Sequence, residues 1–419
     1  MTLSIQTDRT LVRAAAPSIR YVLARVTAPR APKSEARMPV NVALVLDRSG
    51  SMADERKFGL AREAVEQSLM LLHDDDRFAL VVYDSVVDVL MASTQATRKM
   101  KARALDALRL IDPRGNTNLG AGWLTGCEQI AEFLDDKGVS RCLLLTDGLA
   151  NQGITDRGEL ARHASELRQR GVSTSTFGVG GDFDERLLRD MSHDGGGNFY
   201  FIEGASEIPV MLTSELGEAL EVTLRNASLV VMLPRGATAE PLNRFRHEQG
   251  DQPNELRVEL GDLVSGQELD VVVKLVFPLG EPGEPVAAGF RLASAGDALA
   301  GTECRQEWAY ATHPDNDRQP RNQEVDRAVA RLYAARARDE ATEANREARY
   351  EYARYVLEAT ARRILEYAGD DKELHYVAEE LVQAVQEYAM PMTLMSVKAS
   401  MYAAHTALKG RDSTGHARR

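Results

Sequence analysis

Five oxygen-bearing side chains, spread over a long stretch of the chain, could together bind one small divalent cation. They are Asp47, Ser49, Ser51, Thr117 and Asp147. Two carboxylates and three hydroxyls form an oxygen-only ligand set, which suits a hard cation such as Mg²⁺, with Mn²⁺ or Ca²⁺ as alternatives. Because Mg²⁺ prefers six oxygens and much of this set is neutral, the ion would still attract a carboxylate from outside.

The two acidic residues each follow an apolar run of strand length. Residues 40–46 (VNVALVL) precede Asp47, and residues 141–146 (RCLLLT) precede Asp147. Such runs are typical of parallel strands that are covered on both faces. If the two strands are neighbours at the point where the strand order reverses, their carboxyl ends open the crevice in which such sheets bind ligands. Thr117 lies in the loop 115–118, which we expect at the same edge.

A doubly wound α/β domain is predicted for residues 39–218, because strand and helix patterns alternate there with short loops. The sheet is expected to have six strands and to be mostly parallel, with residues 86–91 as an antiparallel edge strand. The predicted strands are 40–46, 78–83, 86–91, 141–146, 172–179 and 198–202.

The flanking segments have different patterns. Residues 1–38 and 219–316 contain strand-like runs separated by turns rich in Pro and Gly, so they are predicted to form one β-sandwich into which the α/β domain is inserted. From about residue 320 the apolar period becomes helical, which predicts an α-helical hairpin or bundle over 317–410. The polar residues 411–419 are predicted to be disordered.

The motifs resemble the metal-ion-dependent adhesion site of von Willebrand factor type A (VWA) domains. Asp-x-Ser-x-Ser follows the first strand, the threonine lies in a Gly-x-Thr-Asn loop, and Thr-Asp-Gly-Leu-Ala-Asn follows the fourth strand. The resemblance covers about residues 39–218, and the longer arrangement resembles bacterial intracellular proteins with a VWA domain spliced into a β-rich module. Asn116 departs from the family, where a second glycine is common.

The resemblance implies how the five residues would act. The three hydroxyls would bind Mg²⁺, the two carboxylates would bind it directly or through water, and an Asp or Glu of a partner protein would complete the octahedron. A simpler interpretation is that these residues cap helices and form turns, where Ser, Thr and Asp are favoured. Their placement on matching loops after buried strands favours the metal site over that interpretation.

The expected function is therefore metal-dependent protein binding without enzymatic activity. An alternative is an adaptor or co-chaperone of an AAA+ ATPase of the MoxR or chelatase kind, which the resemblance implies. This chain has no Gly-x-x-x-x-Gly-Lys-[Ser/Thr] phosphate loop, so that ATPase would be a separate chain. A metal-dependent hydrolase would need a base beside the ion, and the carboxylates near the motif are already assigned as ligands or caps. No catalytic triad or nucleophile elbow is present in the sequence.

Composition limits the partners and the location. With 63 acidic against 51 basic residues, the net charge is −12, so nucleic acid is an unfavourable partner. No stretch approaches the roughly 20 apolar residues of a membrane span. The first residues lack the features of a secretory signal, and a cytoplasmic location is expected.

Overall fold

The computed structural model describes residues 1–31, 37–135, 137–294 and 297–419, which belong to two compact units. One unit consists of Met1–Ala31 together with Thr223–Arg419, and the other is Pro32–Val222. The second unit therefore interrupts the first in sequence. The predicted α/β segment, 39–218, lies within the interrupting unit, and the finer domain boundaries stay predictions.

The strands and helices are numbered along the chain. The strands are β1 (Thr2–Thr7), β2 (Leu11–Arg13), β3 (Ser18–Thr27), β4 (Val40–Asp47), β5 (Arg77–Tyr83), β6 (Val87–Gln95), β7 (Val139–Thr146), β8 (Ser173–Val179), β9 (Gly196–Ile202), β10 (Val222–Met232), β11 (Thr238–Pro241), β12 (Arg246–Gln249), β13 (Glu255–Val264), β14 (Glu268–Phe277), β15 (Pro285–Ser294), β16 (Asp297–Ala298) and β17 (Cys304–Ala311). The helices are α1 (Lys57–Leu71), α2 (Arg98–Arg109), α3 (Leu119–Ala131), α4 (Arg157–Gln169), α5 (Glu185–Asp194), α6 (Ile208–Leu220), α7 (His313–Arg318), α8 (Gln323–Arg346), α9 (Tyr350–Ala368), α10 (Lys372–Tyr388) and α11 (Leu394–Leu408).

The continuous unit contains the predicted six-stranded sheet. Its strand order is β6-β5-β4-β7-β8-β9, and all neighbours pair in parallel except β5 and β6, which are antiparallel. Strands β4 and β7 are buried along their whole length, as their apolar sequences predict. The order reverses between β4 and β7, so the carboxyl ends of these two strands open the ligand-binding crevice of such sheets.

Helix α3 packs unusually close to the sheet because glycines face it. A Cβ atom at Gly126 would lie 2.3 Å from Cγ2 of Val45, and one at Gly122 would lie 2.4 Å from the ring of Tyr83. Glycine in a helix interior costs about 1 kcal/mol relative to alanine. The close approach of the α3 backbone to β4 and β5 explains why glycine is nevertheless present at these positions.

Gly126→Ala is expected to lower the free energy of unfolding by about 2 kcal/mol, because the added methyl group meets a stiff valine in a packed core. Gly217→Ala in α6 is the matched control, since a Cβ there has no atom within 4 Å. This control should gain roughly 0.5–1 kcal/mol from better helix propensity. Urea unfolding of both variants tests the pair, and a neutral or stabilising Gly126→Ala would contradict the packing argument.

The discontinuous unit contains two further sheets. One has the order β1-β3-β14-β11, and the other has the order β12-β13-β10-β15-β17-β2, with β16 paired to β15. Side chains from both sheets form one hydrophobic core, including Val22, Val231, Val271, Phe290 and Trp308. The strand Pro285–Ser294 has a weak signal in the sequence, because its alanines and glycine carry little β-propensity.

The C-terminal region is helical, as predicted. Helices α8, α9 and α10 share an apolar core that includes Ala330, Leu357, Ile364, Leu374 and Leu381. In the described part of the chain, no helix combines the length and the hydropathy that crossing a bilayer requires.

The prediction of a disordered tail over 411–419 is wrong. Arg411 and Ala417 form a β-bridge, the Tyr402 hydroxyl donates to the carbonyl of Thr414 at 3.0 Å, and the amide of Glu268 donates to the carbonyl of Arg418 at 2.9 Å. A turn at 412–416 explains the difference, because a carboxylate that accepts backbone N–H groups orders a polar segment without a core.

Candidate metal site

Asp47 ends β4 and ties it to the neighbouring strand. Its side chain is fully buried, and its carboxylate accepts hydrogen bonds from the amide of Ser49 at 2.7 Å and from Oγ1 of Thr146 at 2.6 Å. Thr146 is the last residue of β7, so the two bonds hold the carboxylate at the meeting point of both strands. Thr146 was not predicted as a site residue, although it precedes Asp147 directly.

The two serines and Asp147 are in mutual contact. Ser49 Oγ lies 3.1 Å from Ser51 Oγ, which donates to Oδ1 of Asp147 at 2.6 Å. A 3₁₀ helix, Gly50–Arg56, follows Ser49 and leads into α1. The loop after β4 therefore brings both hydroxyls to the residue that follows β7.

Thr117 reaches the same place from the loop before α3. Its amide donates to Oδ1 of Asn151 at 3.0 Å, and the amide of Asn151 donates to the carbonyl of Thr117 at 3.2 Å. A Cβ atom at Gly148 would lie 3.3 Å from Oγ1 of Thr117 and 3.9 Å from Oγ of Ser51. The hydroxyls of Thr117 and Ser51 thus face the same space beside Gly148, and the structure brings all five predicted residues together.

The donor set fits a small hard cation. Neighbouring ligand oxygens around an octahedral ion with Mg²⁺ bond lengths lie about 3 Å apart. The oxygen pairs in the site, Ser49 with Ser51 and Ser51 with Asp147, are separated by 3.1 and 2.6 Å. Little movement is therefore needed for these oxygens to become neighbouring ligands of one ion.

Lys57, the first residue of α1, is part of the site and was missed by the sequence reasoning. Its ammonium nitrogen lies 2.9 Å from Oδ2 of Asp147, and its side chain is only 11% exposed. The two oxygens of Asp147 are thus divided between a serine hydroxyl and a lysine. The sequence signal was a lysine on the inward face of a helix, at helical spacing from apolar residues such as Ala61.

A second group of charges lies beside the site. The guanidinium of Arg48, buried to 3% exposure, pairs with Asp84 at 3.0 Å and also with Asp88, while Arg114 pairs with Asp84 at 2.9 Å. Burial alone would raise the pKa of Asp84, but the hydrogen bond from Arg114 and the charges of both arginines lower it below its usual value. Two arginines and two aspartates balance one another, so this group adds little net charge.

Ionisation of Asp47 is unfavourable in the metal-free fold. Burial raises the pKa of Asp47 from 3.8 to about 6, against the hydrogen bonds from Thr146 and Ser49, and the charge of Asp147 adds to the rise. A buried carboxylate with a raised pKa favours either a proton or a metal ion as its neighbour.

Cation affinity is therefore expected to fall as the pH is lowered through about 6, because the ion must then displace a proton from Asp47. The stability of the metal-free fold depends on pH in the opposite direction. With a raised carboxyl pKa, the contribution of Asp47 to metal-free stability is fully present below pH 3.8 and is lost as the pH rises through about 6. Calorimetric titration with Mg²⁺ from pH 5 to 7.5, in buffers of different ionisation enthalpy, should show proton release at the acid end. An affinity independent of pH would contradict this result.

The fold and the site together define the class of domain. Residues 41–213 match the family model described as the von Willebrand factor type A domain, and this part of the chain is a VWA domain. A solved structure described as von Willebrand factor type A from Catenulispora acidiphila is similar to the chain with a TM-score of 0.72 and 18% identity, covering 92% of this chain and 89% of that one. At this identity the similarity shows the fold alone.

Two curated relatives share parts of the sequence. The uncharacterized protein YfbK of Escherichia coli K12 is 27% identical over 254 residues, which are 58% of this chain and 43% of that protein. Inter alpha-trypsin inhibitor heavy chain 4 of Mus musculus is 31% identical over 173 residues, which are 40% of this chain and 18% of that protein. The chain thus spans less than half the length of either relative.

Proposed function

We propose that the VWA domain is a metal-dependent protein-binding module that captures an Asp or Glu side chain of a partner. The observation that carries the proposal is the convergence of Asp47, Ser49, Ser51, Thr117 and Asp147 at one edge of the sheet. These residues would hold Mg²⁺, and Mn²⁺ or Ca²⁺ would suit the same oxygens.

The chemistry that the ion would supply is attraction for an incoming carboxylate. The protein provides the rest: buried strands fix the two carboxylates, and the serine and threonine hydroxyls contribute oxygens without charge. A site with few charged ligands keeps the ion electrophilic toward an outside acid. We infer a binding role and not catalysis, since Asp47 and Asp147 are both engaged by site residues and neither is poised as a base.

Capture of partners on the immobilised full chain tests the proposal. Binding from an extract of the source cell should require Mg²⁺, disappear in EDTA and disappear in Ser51→Ala. Ser206→Ala, an exposed serine in the same unit, is the matched control and should bind normally. Replacing the implicated partner acid by its amide should also abolish binding. Undiminished capture both in EDTA and by Ser51→Ala would overturn the adhesion mechanism.

The second candidate is a cytoplasmic role as the adaptor of a separate AAA+ ATPase. The supporting observation is that α9 and α10 expose large side chains, with Tyr355 62%, Tyr376 60% and Val382 53% exposed. Large exposed aromatic and aliphatic residues are typical of protein-binding surfaces. Stimulation of ATP hydrolysis by a co-purifying ATPase, lost in Tyr355→Ala and kept in Ser51→Ala, would favour this role over carboxylate capture.

A further inference from the structure

The ammonium group of Lys57 lies inside the proposed metal site. It contacts Oδ2 of Asp147 at 2.9 Å, while Oδ1 of the same carboxylate accepts from Ser51 at 2.6 Å. The Asp147 side chain is fully buried and that of Lys57 nearly so, so water screens the charge of this pair only weakly.

The charges in the site give this contact a specific consequence. Asp47 and Asp147 carry two negative charges, and Lys57 carries one positive charge, so these three groups together would offer the ion a net charge of minus one. The neighbouring group of Arg48, Asp84, Asp88 and Arg114 is balanced and does not change this sum. With a divalent ion bound, the sum over the ion and these three groups would therefore be plus one, which favours an incoming carboxylate.

We propose that Lys57 is a positioning residue that makes the metal site selective for an outside carboxylate. Its charge offsets that of Asp147. The site therefore has a lower affinity for the ion alone and a higher affinity for an ion that also binds an outside carboxylate. The inference rests on the proposed function, because it concerns the same ion and the same incoming carboxylate.

A purely orienting role for Lys57 predicts the opposite result. If the lysine mainly fixed the direction of the Asp147 carboxylate, its loss would disorder a ligand and weaken metal binding. The neutral variant Lys57→Gln distinguishes the two roles, because glutamine removes the charge and retains an N–H donor. Lys57→Arg retains the charge, and Lys99→Gln makes the same neutralising change at an exposed position of α2.

The test measures Mn²⁺ affinity of the full chain by electron paramagnetic resonance, in chloride and in acetate at equal ionic strength. Neutralising a charge this close to the ion should tighten Mn²⁺ binding by Lys57→Gln in chloride by at least about tenfold. Lys99→Gln should bind as the unmodified protein does, and Lys57→Arg, which keeps the positive charge, should bind Mn²⁺ more weakly than Lys57→Gln. Acetate, the carboxylate probe, should tighten apparent Mn²⁺ binding by about threefold in the unmodified protein and have little effect in Lys57→Gln.

Acetate also binds Mn²⁺ free in solution. This effect is the same in every sample, so it does not alter the comparison among the variants. If the unmodified protein binds Mn²⁺ and Lys57→Gln binds it equally or more weakly, the role of Lys57 is overturned and the metal site stands. An equal acetate effect in both proteins overturns it as well. If the unmodified protein binds no Mn²⁺, the proposed function and this inference both fail.

Discussion

Asp47→Asn is expected to weaken Mg²⁺ binding by at least about a hundredfold, because it removes one of the two proposed carboxylate ligands from a site with few charges. Asparagine has the shape of aspartate, so its side-chain oxygen can still accept from the amide of Ser49, and its amide group can donate to Thr146. The fold should therefore survive the change. Titration calorimetry with Mg²⁺ measures the loss directly.

The same variant should be more stable than the unmodified protein when both are free of metal. A shift in the pKa of Asp47 from 3.8 to about 6 means that ionised Asp47 costs the fold roughly 3 kcal/mol at neutral pH. Asparagine avoids most of that cost, so the melting temperature in EDTA at pH 7.5 should rise by a few degrees.

Asp156→Asn is the matched control for this pair of measurements. Asp156 caps α4 by accepting from the amide of Glu159, and asparagine caps a helix equally well. It makes the same charge change at the surface and should alter neither Mg²⁺ affinity nor the melting temperature. An Asp47→Asn variant that binds Mg²⁺ normally would remove Asp47 from the ligand set.

Glu215→Ala is expected to lower the free energy of unfolding by about 3–5 kcal/mol, because it leaves a buried arginine without its carboxylate. Glu215 lies in α6, is fully buried, and binds Arg141 of β7 at 2.8 Å, Ser175 of β8 at 2.6 Å and Tyr200 of β9 at 2.6 Å. A fourth bond comes from the side-chain amide of Asn198 at 2.9 Å. One carboxylate thus fastens the last helix of the VWA domain to three strands.

Glu207→Ala is the control, since Glu207 is exposed at the start of the same helix and makes no side-chain cap there. Its effect should stay within about 0.5 kcal/mol. Chemical denaturation of both variants gives the comparison, and adding Arg141→Met to Glu215→Ala should restore part of the loss because the buried arginine charge is then removed as well. A loss below about 1 kcal/mol for Glu215→Ala would show that the network contributes little.

Much of the VWA domain could be predicted from sequence because its strands are covered on both faces. Continuous apolar runs of strand length, such as residues 40–46, are characteristic of buried parallel strands, and the predicted neighbours β4 and β7 do pair in parallel. The antiparallel edge strand was also predicted, at residues 86–91, from its short distance in sequence to β5, and in the structure it runs from Val87 to Gln95. The five site residues came from the spacing of polar residues relative to those runs, and their role as metal ligands stays a prediction.

The parts that could not be predicted depend on contacts between distant residues. Nothing in the local sequence of Lys57 indicates that its nitrogen meets a carboxylate ninety positions later. Asp76 ends an acidic run, residues 74–76, of the kind that favours a solvated surface, yet it is buried and accepts from the amides of Val40 and His73 and from Arg37. The strand Pro285–Ser294 is held by its pairing with β10 and β17 and by burial, since its own residues favour no structure strongly.

Because one unit interrupts the other in sequence, strand β3 of the growing chain is synthesised well before one of the strands with which it pairs. Strand β3 ends at Thr27 and pairs on one side with β14, which begins at Glu268. Ribosomes add roughly 5–20 residues per second, so that edge of β3 stays open for roughly ten to fifty seconds. The intervening VWA domain can complete its own sheet in that interval, because all of its strands are already made. An open, apolar strand edge invites pairing with other chains. The edge of β3 in a nascent chain is therefore open to such pairing until β14 has left the ribosome, when about two thirds of the chain has been made.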